Sequence, residues 1–155
     1  MLHEHLSQRI IACAIEVHRQ LGPGLPERNY HAASAIEFKH QGLAVAREPC
    51  LPVFYRGIRI GQYRPDFIVE GLIVVELKAV ERYDPVFATQ MLTYLRLTRL
   101  EVGLLFNFNR PTLRDGLKRF VLSHHRINAW AMDSSQPSGA IMLAPEGADR
   151  ANSRS

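Results

Sequence analysis

Hydrophobic residues recur at a helical spacing in two segments near the start of the chain. From Ser7 to Leu21 the apolar side chains predict one amphipathic helix, which the Gly-Pro-Gly run at 22–24 ends. A second helix is predicted from Pro26 toward Gly42, because proline suits the first turn of a helix. Its apolar face is predicted to carry Tyr30, Ala33 and Ile36.

Beyond residue 43 the pattern changes to that of β-strands. Arg56-Gly57 interrupts one apolar stretch and predicts a β-hairpin, and Glu70-Gly71 does the same between two further apolar runs. A third helix is predicted to open near Asp84-Pro85, and the apolar run EVGLLFNF at 101–108 predicts a buried central strand. A short helix and a last strand are expected before residue 122.

Length and composition are those of a globular protein with a single core. The chain has 155 residues, of which 46% are hydrophobic and 22% charged. Residues 1–123 are assigned to one domain, and 124–155, rich in Ser, Ala, Gly and Pro, to a disordered tail. No apolar run reaches the roughly 18 residues of a membrane span, and the first ten residues do not resemble a secretory signal. Cys13 and Cys50 lack a CxxC partner, so a cytoplasmic location without zinc is expected.

The net charge of +4 arises in the front part of the chain, where most basic residues are arginine. Arginine grips phosphate in a bidentate manner, so this charge permits a nucleic-acid partner. A mild surplus does not by itself select one.

Asp66, Glu76 and Lys78 lie within the most apolar part of the predicted sheet, RPDFIVEGLIVVELKAV at 64–80. On a period of two, Glu76 and Lys78 leave the same face of one strand, and Asp66 lies on the strand before it. Two acids that converge at a sheet edge make an oxygen-rich site for Mg²⁺ or Mn²⁺, beside which a lysine can polarise a water. The alternative is a structural ion pair, in which Lys78 neutralises two buried acids, and the short spacing alone favours that alternative.

Pro65-Asp66 followed by Glu76-Leu77-Lys78 resembles the signature of the PD-(D/E)XK nuclease superfamily. The segment GLPERNY, Gly24 to Tyr30, is similar to the G-x-x-E-x-x-Y motif of the GxxExxY protein family within that superfamily. The segments AIEVHRQLGPG, VELKAV, QMLTYLRLT and GLLFNFN are similar to that family in the same order. The resemblance covers residues 7–122 and leaves out the tail.

The resemblance implies an α/β domain with a restriction-endonuclease-like core, that is, a central mixed β-sheet flanked by α-helices. It also implies metal-dependent hydrolysis of nucleic-acid phosphodiester bonds. On the superfamily pattern, Asp66, Glu76 and the carbonyl group of Leu77 would bind Mg²⁺ or Mn²⁺. Lys78 would serve the attacking water as the catalytic lysine, and Glu27 would complete the catalytic site from the second helix. The alternative for Glu27 is a first-turn glutamate that complements the helix dipole.

Four residues are candidates for contact with nucleic acid, with DNA favoured over RNA. Gln90 and Tyr94 are four apart on the third helix and share a face. Their spacing is similar to one in exonuclease-like branches of the superfamily, where the pair supports the site or contacts DNA. Tyr30 belongs to the GxxExxY motif, and Arg64 lies beside the predicted metal ligands. The alternative for Gln90 and Tyr94 is a half-buried tyrosine with a neighbouring polar residue, and the alternative for Arg64 is a solvated arginine at a strand start.

The hairpin between the acids decides whether such a site can form. Asp66 and Glu76 can share a metal only if both side chains leave the same face of the sheet, and a regular two-residue turn at Glu70-Gly71 would place them on opposite faces. A three-residue loop such as 69–71, or a bulge between the acids, is therefore predicted. Two rival functions remain open: a non-catalytic nucleic-acid-binding or adaptor domain with the nuclease fold, and a domain whose acids form only a structural ion network.

Overall fold

The computed structural model describes residues 1–124, which form a mixed five-stranded sheet with helices on both faces. The predicted tail lies outside the described residues, apart from His124 at its start. The elements are α1 (Glu4–Leu21), α2 (Glu27–His40), β1 (Val45–Arg47), β2 (Leu51–Tyr55), β3 (Ile58–Tyr63), β4 (Phe67–Val69), β5 (Ile73–Lys78), α3 (Val86–Thr98), β6 (Val102–Asn107), a 3₁₀ turn (Leu113–Gly116) and β7 (Leu117–Val121).

The main sheet has the strand order β1-β4-β5-β6-β7. Strands β5 and β6 run parallel, with α3 as their crossover, and the other neighbouring strands are antiparallel. Strands β2 and β3 form the predicted hairpin around Arg56-Gly57, but they make a separate two-stranded sheet. The predicted α/β architecture with a central mixed sheet is confirmed.

The alternation of side chains along β5 divides the core into two layers. Ile73, Val75 and Leu77 pack against α1 and α2, whereas Val74 packs on the other face with the buried side of α3. Each fully buried aliphatic side chain of this kind contributes about 1.5–3 kcal/mol. Glu76 shares the face of Val74 and is only 4% exposed, so a carboxylate enters the layer between β5 and α3.

Helix α2 buries a narrower stripe than its sequence predicts. Tyr30, Ser34 and Phe38, spaced by four residues, face the core, while Ile36 is 70% exposed. The prediction that Ile36 lies on the apolar face is therefore wrong. Ile36 is two residues from Ser34 and therefore lies on the side of the helix that faces away from the core.

The hairpin between β4 and β5 has the odd length that a shared site requires. Val69 pairs with Ile73, which leaves Glu70, Gly71 and Leu72 as the loop. Glu70 and Gly71 have left-handed φ values of 53° and 65°, and the N–H of Leu72 donates to the carbonyl oxygen of Val69. The prediction of an odd loop is confirmed, with Leu72 rather than Val69 as the third residue. Asp66 is thereby in register with Glu76, and the two side chains leave the same face.

Candidate active site

Asp66 and Glu76 are held together by reciprocal hydrogen bonds at the point where the β4–β5 ladder ends. The backbone N–H of Asp66 donates to Oε1 of Glu76 at 2.6 Å, and the backbone N–H of Leu77 donates to Oδ2 of Asp66 at 2.7 Å. The preceding residue, Pro65, has no N–H and cannot extend the ladder. The two carboxylates therefore accept backbone donors where strand pairing stops, which fixes both in place.

Lys78 lies beside this pair at the end of β5. Its Nζ atom is 3.7 Å from Oε2 of Glu76, 3.4 Å from Oε1 of Gln90 and 4.7 Å from the ring centre of Phe87. The strand end is fixed by Asn107, whose side-chain N–H donates to the carbonyl oxygen of Val80 at 2.9 Å. The ammonium group is thus held on the same face as both acids.

The acids carry raised pKa values because they are taken out of water close to one another. Burial first, and then the negative charge of Asp66, raises the pKa of Glu76 to about 8. Burial also raises the pKa of Asp66, although the N–H of Leu77 and the neighbouring His31 and Lys78 oppose the shift. An added cation would lower the electrostatic cost of ionising both acids, because it would interact with both carboxylates at once.

Glu27 faces the same cluster from the first turn of α2. Partial desolvation and then the charge of Asp66 raise its pKa, while Lys78 acts in the opposite direction. The residue remains exposed at the rim of the site. Its place at the helix start also suits the helix dipole, so both sequence interpretations fit the same position.

The donor set fits Mg²⁺ or Mn²⁺, although it is not a closed protein cage. Among residues 1–124 no three His, Cys, Asp or Glu side chains are arranged to hold a metal by themselves. Asp66 and Glu76 supply two carboxylates, and the carbonyl group of Leu77 leaves β5 on the same edge as the N–H that binds Asp66. Mg²⁺ typically uses one or two carboxylates and completes its shell with water and substrate oxygens.

Two of the predicted nucleic-acid contacts are wrong. Tyr30 is 0% exposed, because its ring stacks on Phe108 with centroids 4.5 Å apart. Tyr94 is 2% exposed, and burial followed by the charges of Glu76 and Asp66 raises its pKa. Buried rings cannot reach a polymer. For Tyr94 this leaves the other prediction from the sequence, in which the residue supports the site.

Gln90 and Arg64 occupy positions consistent with their sequence assignments. Gln90 is half-buried and accepts a hydrogen bond from Lys78, so it touches the site directly. Arg64 is exposed, and its Nη1 atom donates to the carbonyl oxygen of Glu48 at 3.2 Å. Contact of either residue with nucleic acid stays a prediction.

His31 is a site residue that the sequence analysis missed. Its Nε2 atom lies 3.8 Å from Oδ1 of Asp66, and its ring stacks on Phe67 with centroids 4.4 Å apart. A signal was present, because His31 follows Glu27 by four residues and therefore shares its helix face.

Comparison with known proteins agrees with this arrangement. A sequence model of the PD-(D/E)XK nuclease superfamily matches residues 4–120, and the chain therefore belongs to that superfamily. No curated protein and no solved structure matches the chain. Membership indicates a nuclease-type function with nucleic acid as substrate, and nucleases of this superfamily generally use divalent metal ions. In the described part of the chain, no helix has the length and apolar character needed to cross a bilayer.

The raised pKa of Glu76 predicts how the stability of the metal-free protein depends on pH. The folded protein keeps a proton on Glu76 up to a pH of about 8, whereas the unfolded chain releases it near 4.5. The free energy of unfolding should therefore fall as the pH rises between these values. Thermal melting in EDTA measures this, and Asp66 contributes in the same direction because its pKa is also raised.

Glu76→Gln should flatten this pH dependence, because the amide has no proton to lose. Glu81→Gln, at an exposed position outside the site, is the control and should keep the wild-type slope. A melting temperature of the wild-type protein that does not fall over this pH range would contradict the protonated state of Glu76.

Proposed function

We propose that this domain is a metal-dependent nuclease that hydrolyses phosphodiester bonds of nucleic acid at Asp66, Glu76 and Lys78. The observation that carries the proposal is the pair of reciprocal hydrogen bonds between Asp66 and the Glu76–Leu77 segment. They hold two largely buried acids side by side, next to a lysine, at the end of a strand. Titratable groups with perturbed pKa values in such an arrangement are typical of catalytic sites.

The geometry favours a catalytic site over a purely structural ion network. A structural network would keep its acids ionised and closely paired, because an unpaired buried charge is costly. Here one ammonium group serves two acids, and its nearest carboxylate oxygen is 3.7 Å away. The attraction of Lys78 does not outweigh burial and the charge of Asp66, since the pKa of Glu76 rises to about 8. Asp66 and Glu76 therefore have too little positive charge beside them to be ionised together.

Each residue has a distinct role in the proposed reaction. Asp66, Glu76 and the Leu77 carbonyl would hold Mg²⁺ or Mn²⁺, which when bound supplies charge stabilisation at the phosphate and a more acidic water. Lys78 would donate a hydrogen bond that orients the attacking water toward phosphorus. Gln90 would keep the ammonium group of Lys78 in place through the hydrogen bond at 3.4 Å.

Glu27 would hold or release a proton at the rim of the site. Burial and the charge of Asp66 raise the pKa of Glu27, which favours the protonated form that a general acid needs. The partly exposed position of Glu27 also gives that proton a path to solvent.

We also propose membership of the GxxExxY family, because its motif has a structural explanation in this chain. Gly24 adopts a φ of 100°, which a residue with a side chain rarely tolerates. The hydroxyl group of Tyr30 donates to the carbonyl oxygen of Gly22 at 2.6 Å and accepts from the N–H of Leu25 at 3.1 Å. Glycine and tyrosine thus build the turn between α1 and α2 that presents Glu27 to the site.

A cytoplasmic location and a preference for DNA over RNA stay predictions. Cys13 and Cys50 are both free thiols, which suits a reducing compartment. Incubation with single- and double-stranded DNA and RNA in Mn²⁺ tests the substrate preference directly.

Asp66→Asn and Glu76→Gln should each abolish Mn²⁺ binding. Each change removes one charge from a small oxygen-donor site, and such sites depend on their carboxylates for most of their affinity. Isothermal titration calorimetry measures the binding, with Glu81→Gln as the exposed control. Unchanged Mn²⁺ affinity in both site variants would rule out this metal site.

Lys78→Ala should abolish cleavage of nucleic acid while it keeps Mn²⁺ binding and the fold. If Lys78 were only a counter-ion, its removal would leave two buried acids and destabilise the domain by about 3–5 kcal/mol. Cleavage assays and thermal melting on the same sample separate the two roles, with the exposed Lys39→Ala as control. A folded variant that cleaves like the wild type would exclude a catalytic lysine. A wild-type protein that binds nucleic acid but never cleaves it in Mn²⁺ would support the rival adaptor function.

A further inference from the structure

We propose that the β2–β3 hairpin, residues 51–63 and here named the arm, binds the nucleic-acid strand that enters the active site. This inference rests on the proposed function. The arm stands apart from the main sheet, because β2 and β3 pair only with each other within the described residues. All six residues of β3 are exposed.

The arm displays large apolar side chains that the fold does not use. Tyr55 is 62% exposed, Ile58 69%, Ile60 65% and Tyr63 45%. A concentration of exposed aromatic and aliphatic side chains on one short element is typical of a binding surface. The arm is therefore better explained by a partner than by its contribution to stability.

One face of the arm is continuous with the active-site side of the sheet. Leu51 pairs with Tyr63 and Tyr55 with Ile58, so these four side chains share a face. Leu51 is buried in the layer that includes Tyr94, and the ring of Tyr63 meets that of Tyr94 with centroids 6.3 Å apart. This face of the arm therefore borders the layer into which Glu76 projects.

Both ends of the arm are tied to Asp66. The N–H of Glu48, just before the arm, donates to the carbonyl oxygen of Asp66 at 2.8 Å, and Arg64 and Pro65 connect β3 to Asp66 directly. Six strand residues extend about 20 Å. That length matches about six nucleotides at the spacing of stacked bases.

The positive charge of the arm and its flanking residues favours a polyanion as the binding partner. Residues 49–65 contain Arg56, Arg59 and Arg64 and no aspartate or glutamate. A second copy of the chain docked through the same arm would bring arginines against arginines. Exposed tyrosines among arginines are the composition with which proteins bind single-stranded nucleic acid, by stacking on bases and attracting phosphates.

The test measures binding separately from cleavage. Fluorescence anisotropy with a labelled 12-nucleotide single strand, in EDTA, should show at least about fivefold weaker binding for Tyr55→Ala, since one base–aromatic stack contributes that much. Arg56→Ala should lower the slope of log affinity against log salt by about 0.7, because one phosphate contact is lost. Ile36→Ala, an equally exposed change on α2, is the control and should bind like the wild type.

Hydrolysis of bis(p-nitrophenyl) phosphate in Mn²⁺ distinguishes failure of the arm from failure of the site. This small diester does not reach the arm, so the arm variants should hydrolyse it at the wild-type rate. Wild-type affinity for the 12-mer in Tyr55→Ala and Arg56→Ala would contradict the proposed role of the arm. Loss of diester hydrolysis in either variant would contradict it as well. If the wild-type protein hydrolyses no diester yet binds the 12-mer through the arm, the proposed function is refuted and strand binding by the arm is supported.

A separate observation concerns His31, which we infer to be a positioning residue for Asp66. The Nη2 atom of Arg47 lies 3.4 Å from Nδ1 of His31. Arginine can only donate, so Nδ1 accepts and the proton of the neutral ring lies on Nε2. Nε2 is buried without a hydrogen-bond partner and faces Oδ1 of Asp66 at 3.8 Å.

This arrangement makes His31 a donor toward Asp66 rather than a metal ligand, and it too rests on the proposed site. With its proton on Nε2, the ring has no lone pair to offer a metal there. Leu77 already holds Oδ2 of Asp66, and the N–H of His31 faces the other oxygen across 3.8 Å, a gap that a small shift of the carboxylate would close. Groups that orient a metal-binding carboxylate in this way typically affect metal affinity by 10- to 100-fold.

His31→Leu should therefore weaken Mn²⁺ and Co²⁺ binding by about tenfold each, and His31→Gln, which keeps an N–H, should restore most of the loss. Calorimetry with both ions measures this, with the exposed His40→Leu as control. A selective loss of Co²⁺ would identify His31 as a nitrogen ligand and overturn the inference, as would unchanged affinities in His31→Leu. Absence of Mn²⁺ binding in the wild-type protein would instead refute the site itself.

Discussion

The structure depends on how the β4–β5 ladder ends. Pro65 cannot donate a hydrogen bond, so strand pairing stops, and the carboxylates of Glu76 and Asp66 accept the N–H groups of Asp66 and Leu77. Ionising both buried carboxyl groups would cost several kcal/mol, which the two backbone hydrogen bonds and one lysine offset only in part. A site that binds a divalent cation is a physical explanation for keeping such an arrangement.

The surrounding packing is what makes this arrangement tolerable. The β5 strand carries Glu76 between two neighbours, β4 and β6, and helix α3 covers the face from which Glu76 projects. A side-chain carbon at Gly103 would overlap Met91, so glycine lets α3 approach β6 closely there. Gln90 precedes Met91 on α3, and this approach brings it to Lys78. The position of a polar group in the site thus follows from a packing requirement in the core.

Local patterns predicted the elements and the parity of the hairpin, because both depend on residues close in sequence. The G-x-x-E-x-x-Y motif predicted that Glu27 lies near the acids, and the turn held by Tyr30 explains how the motif places it there. The apolar face predicted for α2 already included Tyr30, but its stacking partner Phe108 lies on a distant segment and could not be predicted in the same way. His31 was missed for a similar reason: the helix face was predictable, but the approach of α2 to Asp66 depends on tertiary packing.

On the proposed function, the distribution of charge assigns strand binding and catalysis to two different surfaces, the arm and the acidic site. A phosphate at the site would meet Glu27, Asp66 and Glu76, and among the described residues only Lys78 is a lysine or arginine close to all three acids. When these acids are ionised, as a bound metal would require, they repel a phosphate unless the cation neutralises them. The arm has the opposite character, with arginines and no acids in residues 49–65. The chain can thus hold a strand through the arm independently of the cation, and the phosphate can occupy the site only when the cation is present. The two surfaces meet at Tyr63 and Tyr94, which makes that ring contact the physical link between holding a strand and cutting it.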